Sequence, residues 1–172
     1  MTRSSLTVVI LILVLVSGGY LYFKNYDSSQ TSQGPSLREE AGREYSDEQY
    51  GFSLVYPEGM TVEKFDEGGG ASSFVFEDIQ NMQGFQIFVV PYGESQISEE
   101  RFLLDVPSGV RNDLVNLEVD GVKATSFSST NAGLGDTWEV WFIHEGFLYE
   151  VTTLKPLEPL LNEVIQTWKF TR

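Results

Sequence analysis

His144 is the only histidine in the chain, and with Glu145 beside it forms the one pairing suited to general-base or metal-ligand chemistry near neutral pH. A metal site needs two or three further ligands at readable spacing, and the sequence supplies none around it. A lone histidine where a strand runs into a turn reads first as a solvated turn residue. The acidic pairs Asp66-Glu67, Glu77-Asp78 and Glu99-Glu100 are the residue types that hold calcium together with loop carbonyls. No Asp-x-Asp-x-Asp-Gly loop frames them, so they read as solubilising charge. Gly68-Gly69-Gly70 and Gly133-Leu134-Gly135 lack the Lys-Ser or Lys-Thr that opens a phosphate-binding helix, and read as turns. Serines are plentiful, yet none sits in a Gly-x-Ser-x-Gly elbow. Cysteine is absent, which excludes disulfides, thiolate metal clusters, a cysteine nucleophile and a lipid-modified cysteine anchor. The sequence therefore marks no catalytic, cofactor-binding or metal-binding set. Trp141 and Ile143, with His144, stand as a partner or ligand surface, against the plainer reading that the two apolar side chains are core.

These residues belong to the stretch from Thr137 to Leu154, which reads as two strands around a Glu145-Gly146 turn. Alternation along the first strand sends Trp138, Val140 and Phe142 one way and Trp141 and Ile143 the other. Both faces read as apolar, so the hairpin is expected at the centre of its sheet and covered on both sides, with Phe147, Tyr149 and Val151 continuing one face.

The rest of the chain supplies the cover. Phe52, Leu54 and Tyr56 alternate before a Pro57-Glu58-Gly59 turn, and Thr61 to Phe65 is expected to pair back as a hairpin. Residues 73–76 and 85–90 read as the next strands, the second ended by Pro91. Ser98 is a good N-cap for a short helix with Glu99 and Glu100 in its first turn, an apolar stripe of Phe102, Leu103 and Val106, and a stop at Pro107. Asp120-Gly121 is a strong two-residue turn between strands over 114–119 and 122–129. Pro159 opens a last helix whose Leu160, Leu161, Val164, Ile165 and Trp168 form one apolar face, and Phe170 follows it.

Ahead of this domain, Leu6 to Phe23 (LTVVILILVLVSGGYLYF) carries no charge. About 18 helical residues at 1.5 Å each would reach roughly 27 Å, close to the hydrocarbon thickness of a bilayer. Two readings stand. One is a retained signal anchor with residues 1–5 in the cytoplasm and Tyr20, Tyr22 and Phe23 as an interfacial belt. The other is a signal peptide cleaved near Val16-Ser17-Gly18-Gly19, giving a secreted domain. Continuation of the apolar run past Gly19 favours the anchor, and with it a lipid bilayer as the partner of residues 6–23. Residues 24–45 read as a flexible polar linker, and 46–172 as one globular domain.

With 172 residues, 41% of them hydrophobic, the chain suffices for one core and is short for two. A net charge of −14 repels phosphate backbones, which argues against nucleic acid as a partner. Strands with one helix inserted and one at the end make an α+β class, an antiparallel sheet covered by helices.

The run Tyr50-Gly51-Phe52-Ser53-Leu54-Val55-Tyr56-Pro57, the Asp120-Gly121 hairpin, the Gly146-to-Val151 strand and the closing Val164-to-Phe170 segment resemble the PsbP-like superfamily. That superfamily includes the extrinsic PsbP proteins of photosystem II and DcrB-type envelope lipoproteins. The resemblance covers about Tyr45 to the C-terminus. It implies an α/β/α sandwich on an antiparallel sheet and a non-enzymatic role in binding or assembly. No cofactor is expected, and an envelope protein is the expected partner. The missing lipobox cysteine leaves any anchoring to the helix, and roles that rest on other histidines do not carry over. No functional residue of the superfamily transfers to a numbered position. The alternative is a small metal-assisted hydrolase using His144 and nearby carboxylates.

Overall fold

The computed structural model describes residues 42–171. The expected membrane span over 6–23 and most of the expected linker lie outside them. Among the described residues, no helix is long and apolar enough to cross a membrane.

The chain runs β1 (Gly42–Asp47), β2 (Phe52–Pro57), β3 (Thr61–Gly68), β4 (Ala71–Asp78), β5 (Gln83–Pro91), helix α1 (Glu99–Asp105), β6 (Asn112–Val119), β7 (Val122–Asn131), β8 (Gly135–His144) and β9 (Phe147–Leu154). A 3-10 turn (Lys155–Leu157), helix α2 (Glu158–Thr167) and the short β10 (Lys169–Phe170) complete it. A seven-stranded antiparallel sheet is ordered β3-β4-β5-β9-β8-β7-β6, and β1, β2 and β10 form a separate three-stranded sheet. The fold is thus mainly antiparallel β-sheet with two short helices.

The β8–β9 hairpin sits at the middle of the large sheet, where it was expected. Its inner face, with Trp138, Val140, Phe142, Tyr149 and Val151, belongs to the main core, which α2 and the small sheet close from outside. Phe52 of β2 stacks on Trp168 at 4.7 Å between ring centroids, Phe142 stacks on Tyr149 at 5.0 Å, and the Tyr149 hydroxyl donates to the Tyr50 carbonyl at 2.6 Å. Leu161, Val164, Ile165 and Trp168 are buried as their spacing predicts. Asp120 and Gly121 both take positive φ, +47° and +82°, the backbone that a two-residue hairpin turn demands. The turn then captures β10, because Asp120 accepts from Lys169 Nζ and from the Phe170 N–H.

Four expectations are corrected. β2 does not pair with β3; it pairs with β1 and β10, while β3 joins the edge of the large sheet against β4. The Pro57–Met60 turn carries the chain between layers, so that Phe52, Leu54 and Tyr56 face the inner side of the large sheet rather than extend it. β1 begins at Gly42, inside the stretch read as linker, because pairing of Tyr45 with Leu54 sets its ring against Phe74 and Phe76. The sandwich is not helix-covered on both sides in equal measure: one face carries α2 plus a sheet, the other only α1. Finally, Leu103 is 46% exposed, since only Phe102 and Val106 point from α1 into the small cluster with Phe127 and Trp141.

Emptying the aromatic core should be costly. Phe142→Ala or Trp168→Ala should lose about 3–5 kcal/mol of unfolding free energy in urea denaturation, whereas Leu114→Ala, at an exposed edge position, should change it by about 0.5 kcal/mol or less.

A polar trough on the open face of the sheet

The outer face of the hairpin is not the apolar surface that the sequence suggests. Glu139, on the same face as Trp141, is 5% exposed, and Glu150 on β9 is 6% exposed. Register explains how they meet. Gln86 of β5, Thr152 of β9 and Glu139 of β8 are consecutive partners in one cross-strand row, and Phe88, Glu150 and Trp141 are partners in the next. With strands about 4.8 Å apart, each row brings three side chains side by side over one sheet face.

Helix α1 lies across this face and adds Arg101 and Asp105. The Ser98 side chain caps it by accepting from the Arg101 N–H at 3.2 Å, as its position predicts. The Arg101 guanidinium contacts Asp105 one turn along and Glu150 at 3.2 Å, and lies over the Phe88 ring. Glu139 has no cation. It accepts from the Thr137 hydroxyl at 2.7 Å, the Thr152 hydroxyl at 2.6 Å and the Trp141 indole N–H at 3.2 Å.

Three carboxyls thus lie near one guanidinium, which only Asp105 and Glu150 contact. Burial pushes Glu139 above the ordinary glutamate range, although its three donors pull the other way. Glu150 is raised well above that range, first by burial and then by the charge of Asp105. Asp105 is raised by burial, against the pull of its bonds to Glu150 and Arg101. Of this pair Glu150 is raised the further, since it is the less exposed and has the charge of Asp105 beside it.

These groups border a cavity of about 640 Å3 that runs over the sheet from the β3–β4 turn to the β7–β8 turn, with Leu104 and the residues after α1 as one wall. Gln86 borders it too. Its Nε2 points to the Ser73 hydroxyl at 3.5 Å, and its buried Oε1 has no hydrogen-bond partner.

Of the three residues marked from sequence, only Trp141 borders this trough. It is also core, 2% exposed and packed with Phe102, Val106 and Phe127. Ile143 is half-buried outside the trough. His144 faces the opposite side of the sheet, tilted on the Phe170 ring at 3.8 Å, as strand alternation demands. Among the described residues, no three His, Cys, Asp or Glu side chains are grouped to hold a metal ion. The residues that build the trough, Gln86, Glu139 and Glu150, were visible as single polar residues, each flanked on both sides by apolar ones.

In comparison with known proteins, the chain is similar in structure to the solution structure of cyanobacterial PsbP (CyanoP) from Synechocystis sp. PCC 6803. The TM-score is 0.50 at 14% sequence identity, over 81% of this chain and 98% of that one. The fold is PsbP-like. No family model and no curated protein matches the sequence.

The raised carboxyls set a pH dependence. A buried acid costs nothing while it is protonated in both the folded and unfolded states, below its unfolded pKa, and destabilises the fold as pH climbs through the raised folded value. Stability should therefore fall as pH rises above about 4, and Glu150→Gln should flatten that fall, matching the native chain at the acid end and exceeding it near pH 8. Urea midpoints across the range check this; parallel profiles would contradict it.

Proposed function

We propose that this chain is a membrane-tethered, extracytoplasmic, non-enzymatic binding module of the cell envelope, held by residues 6–23 and offering the trough beside α1 to a ligand or an envelope partner. The trough itself carries the reading. One face of the sheet is sealed by a second sheet and α2, while the other exposes a cavity of about 640 Å3, within the size range of small-molecule sites. Its floor is a polar row flanked by Phe88 and Trp141, the mixture of apolar walls and few oriented polar groups that binding sites use. A buried ion pair gives little net stability against an apolar equivalent, so the cluster is better understood as built for recognition. The PsbP-like fold supports the same class. The alternative of a hydrolase draws no support from the geometry, because the sheet separates His144 from the buried carboxyls.

Leu104, half exposed on α1 at the cavity wall, gives a clean test. The native full chain, solubilised from membranes in mild detergent, should retain a ligand or envelope protein that the Leu104→Trp variant releases at equal expression and equal melting temperature. The tethering half is read from the same membranes: intact mass should include residues 1–23, and protease added to spheroplasts should digest the domain. Equal retention by both forms would contradict the binding face, and a mature chain beginning near Gly19 would contradict the anchor.

A further inference from the structure

The trough has a charge imbalance that its own residues do not close. The charged side chains bordering it are Arg101 and Asp105 from α1, Glu139 from β8 and Glu150 from β9. Arg101 is committed to Asp105 and Glu150. Glu139 meets only neutral donors, three of them, and a carboxylate can accept about four hydrogen bonds. Next to it in the same row, beyond Thr152, Gln86 keeps a buried carbonyl oxygen without a donor. A buried acceptor left without a donor is costly, so such a group in a cavity wall points to a donor brought by a ligand.

We infer that the trough binds an organic cation, a protonated amine whose N–H donors reach Gln86 Oε1, Glu139 and Glu150 while its apolar part lies against Phe88, Leu104 and Trp141. The inference rests on the binding reading above and adds the chemistry of the ligand. An ammonium group offers three donors and no acceptor, which matches a wall whose open positions are all acceptors. An anion meets the reverse, since the only guanidinium there is already paired. A bare metal ion would have to displace the three donors that Glu139 holds. The aromatic floor adds attraction for a cation over its rings.

The carboxyls hold protons in the free protein more readily than ordinary acids do, and an ammonium group arriving among them displaces those protons. Affinity should therefore rise with pH through the range in which Asp105, Glu139 and Glu150 titrate, while Arg101 and the amine stay charged.

Isothermal titration of the full chain in detergent with phenethylammonium chloride, and separately with 2-phenylethanol and sodium phenylacetate, tests this. The amine should bind one to one and at least about tenfold more tightly than either analogue, with affinity increasing from acid to neutral pH. Glu150→Gln should weaken it about tenfold. Leu104→Arg places an internal guanidinium at the cavity wall and should weaken it similarly, whereas Leu114→Arg, at an exposed edge position away from the trough, should stay within about threefold. Equal or tighter binding of the alcohol or the carboxylate would overturn the cationic inference and leave a binding site in place. No heat with any of the three up to about 10 mM would also overturn it. If Leu104→Trp still released the membrane partner, the broader reading would survive that result; if it did not, both would fall.

Discussion

Two strands buried on both faces constrain everything else in this fold. β8 and β9 lie at the centre of the large sheet, so a polar side chain in the middle of either strand is taken out of water whichever way it points. Glu139 and Glu150 point toward α1, and their burial has to be offset locally. Thr137, Thr152 and the Trp141 indole supply donors to one, and Arg101 serves the other. That requirement fixes where α1 must lie. Its Ser98 cap and the Arg101–Asp105 spacing of one turn put the guanidinium over Phe88 and within reach of β9.

The two faces of the sheet have been given opposite tasks. On the inner side, rings from β2, β4, β8, β9 and α2 meet in stacked and edge-on pairs, and the Tyr149–Tyr50 hydrogen bond ties the hairpin to the small sheet. Each buried aromatic contributes roughly 1.5–3 kcal/mol, which allows the domain to keep an unfavourable cluster of acids on the outer side. Lys64 adds a clamp at the edge, bonded to Asp47 and lying over Tyr50 and Phe74. A rigid apolar layer thus backs a polar, partly open one.

Local signals made much of this legible from the sequence. The Glu145-Gly146 and Asp120-Gly121 turns, the Ser98 cap and the periodicity from Leu160 to Trp168 each act within a few residues, and each is found where it was expected. The partner of β2 was not legible, because Pro57-Glu58-Gly59 has the composition of a hairpin turn whether the chain doubles back or changes layer. Its pairing with β10 depends on residues more than a hundred positions apart. The trough was missed for another reason. A single glutamate between Trp138 and Val140, or between Tyr149 and Val151, reads as a polar edge to an apolar strand until register sets it beside other polar residues. Gln86 is informative only through its neighbours on two other strands. The resemblance to the PsbP-like superfamily anticipated the fold, and it carried no residue of this cluster.

The central feature is Glu150, whose carboxyl is held well above the ordinary range by burial on the open face, so that it takes up a proton more readily than an ordinary acid and can exchange it for a cation. Carboxyl 13C NMR titration of the full chain, with the Glu150 resonance assigned by the Glu150→Gln variant, measures this directly. The account predicts a midpoint clearly above the ordinary value of 4.5, accompanied by a concerted shift of the Asp105 signal. A midpoint at or below 4.5 would contradict it, for Glu150 would then be an ordinary ion-pair partner of Arg101 and the trough would carry no exchangeable proton.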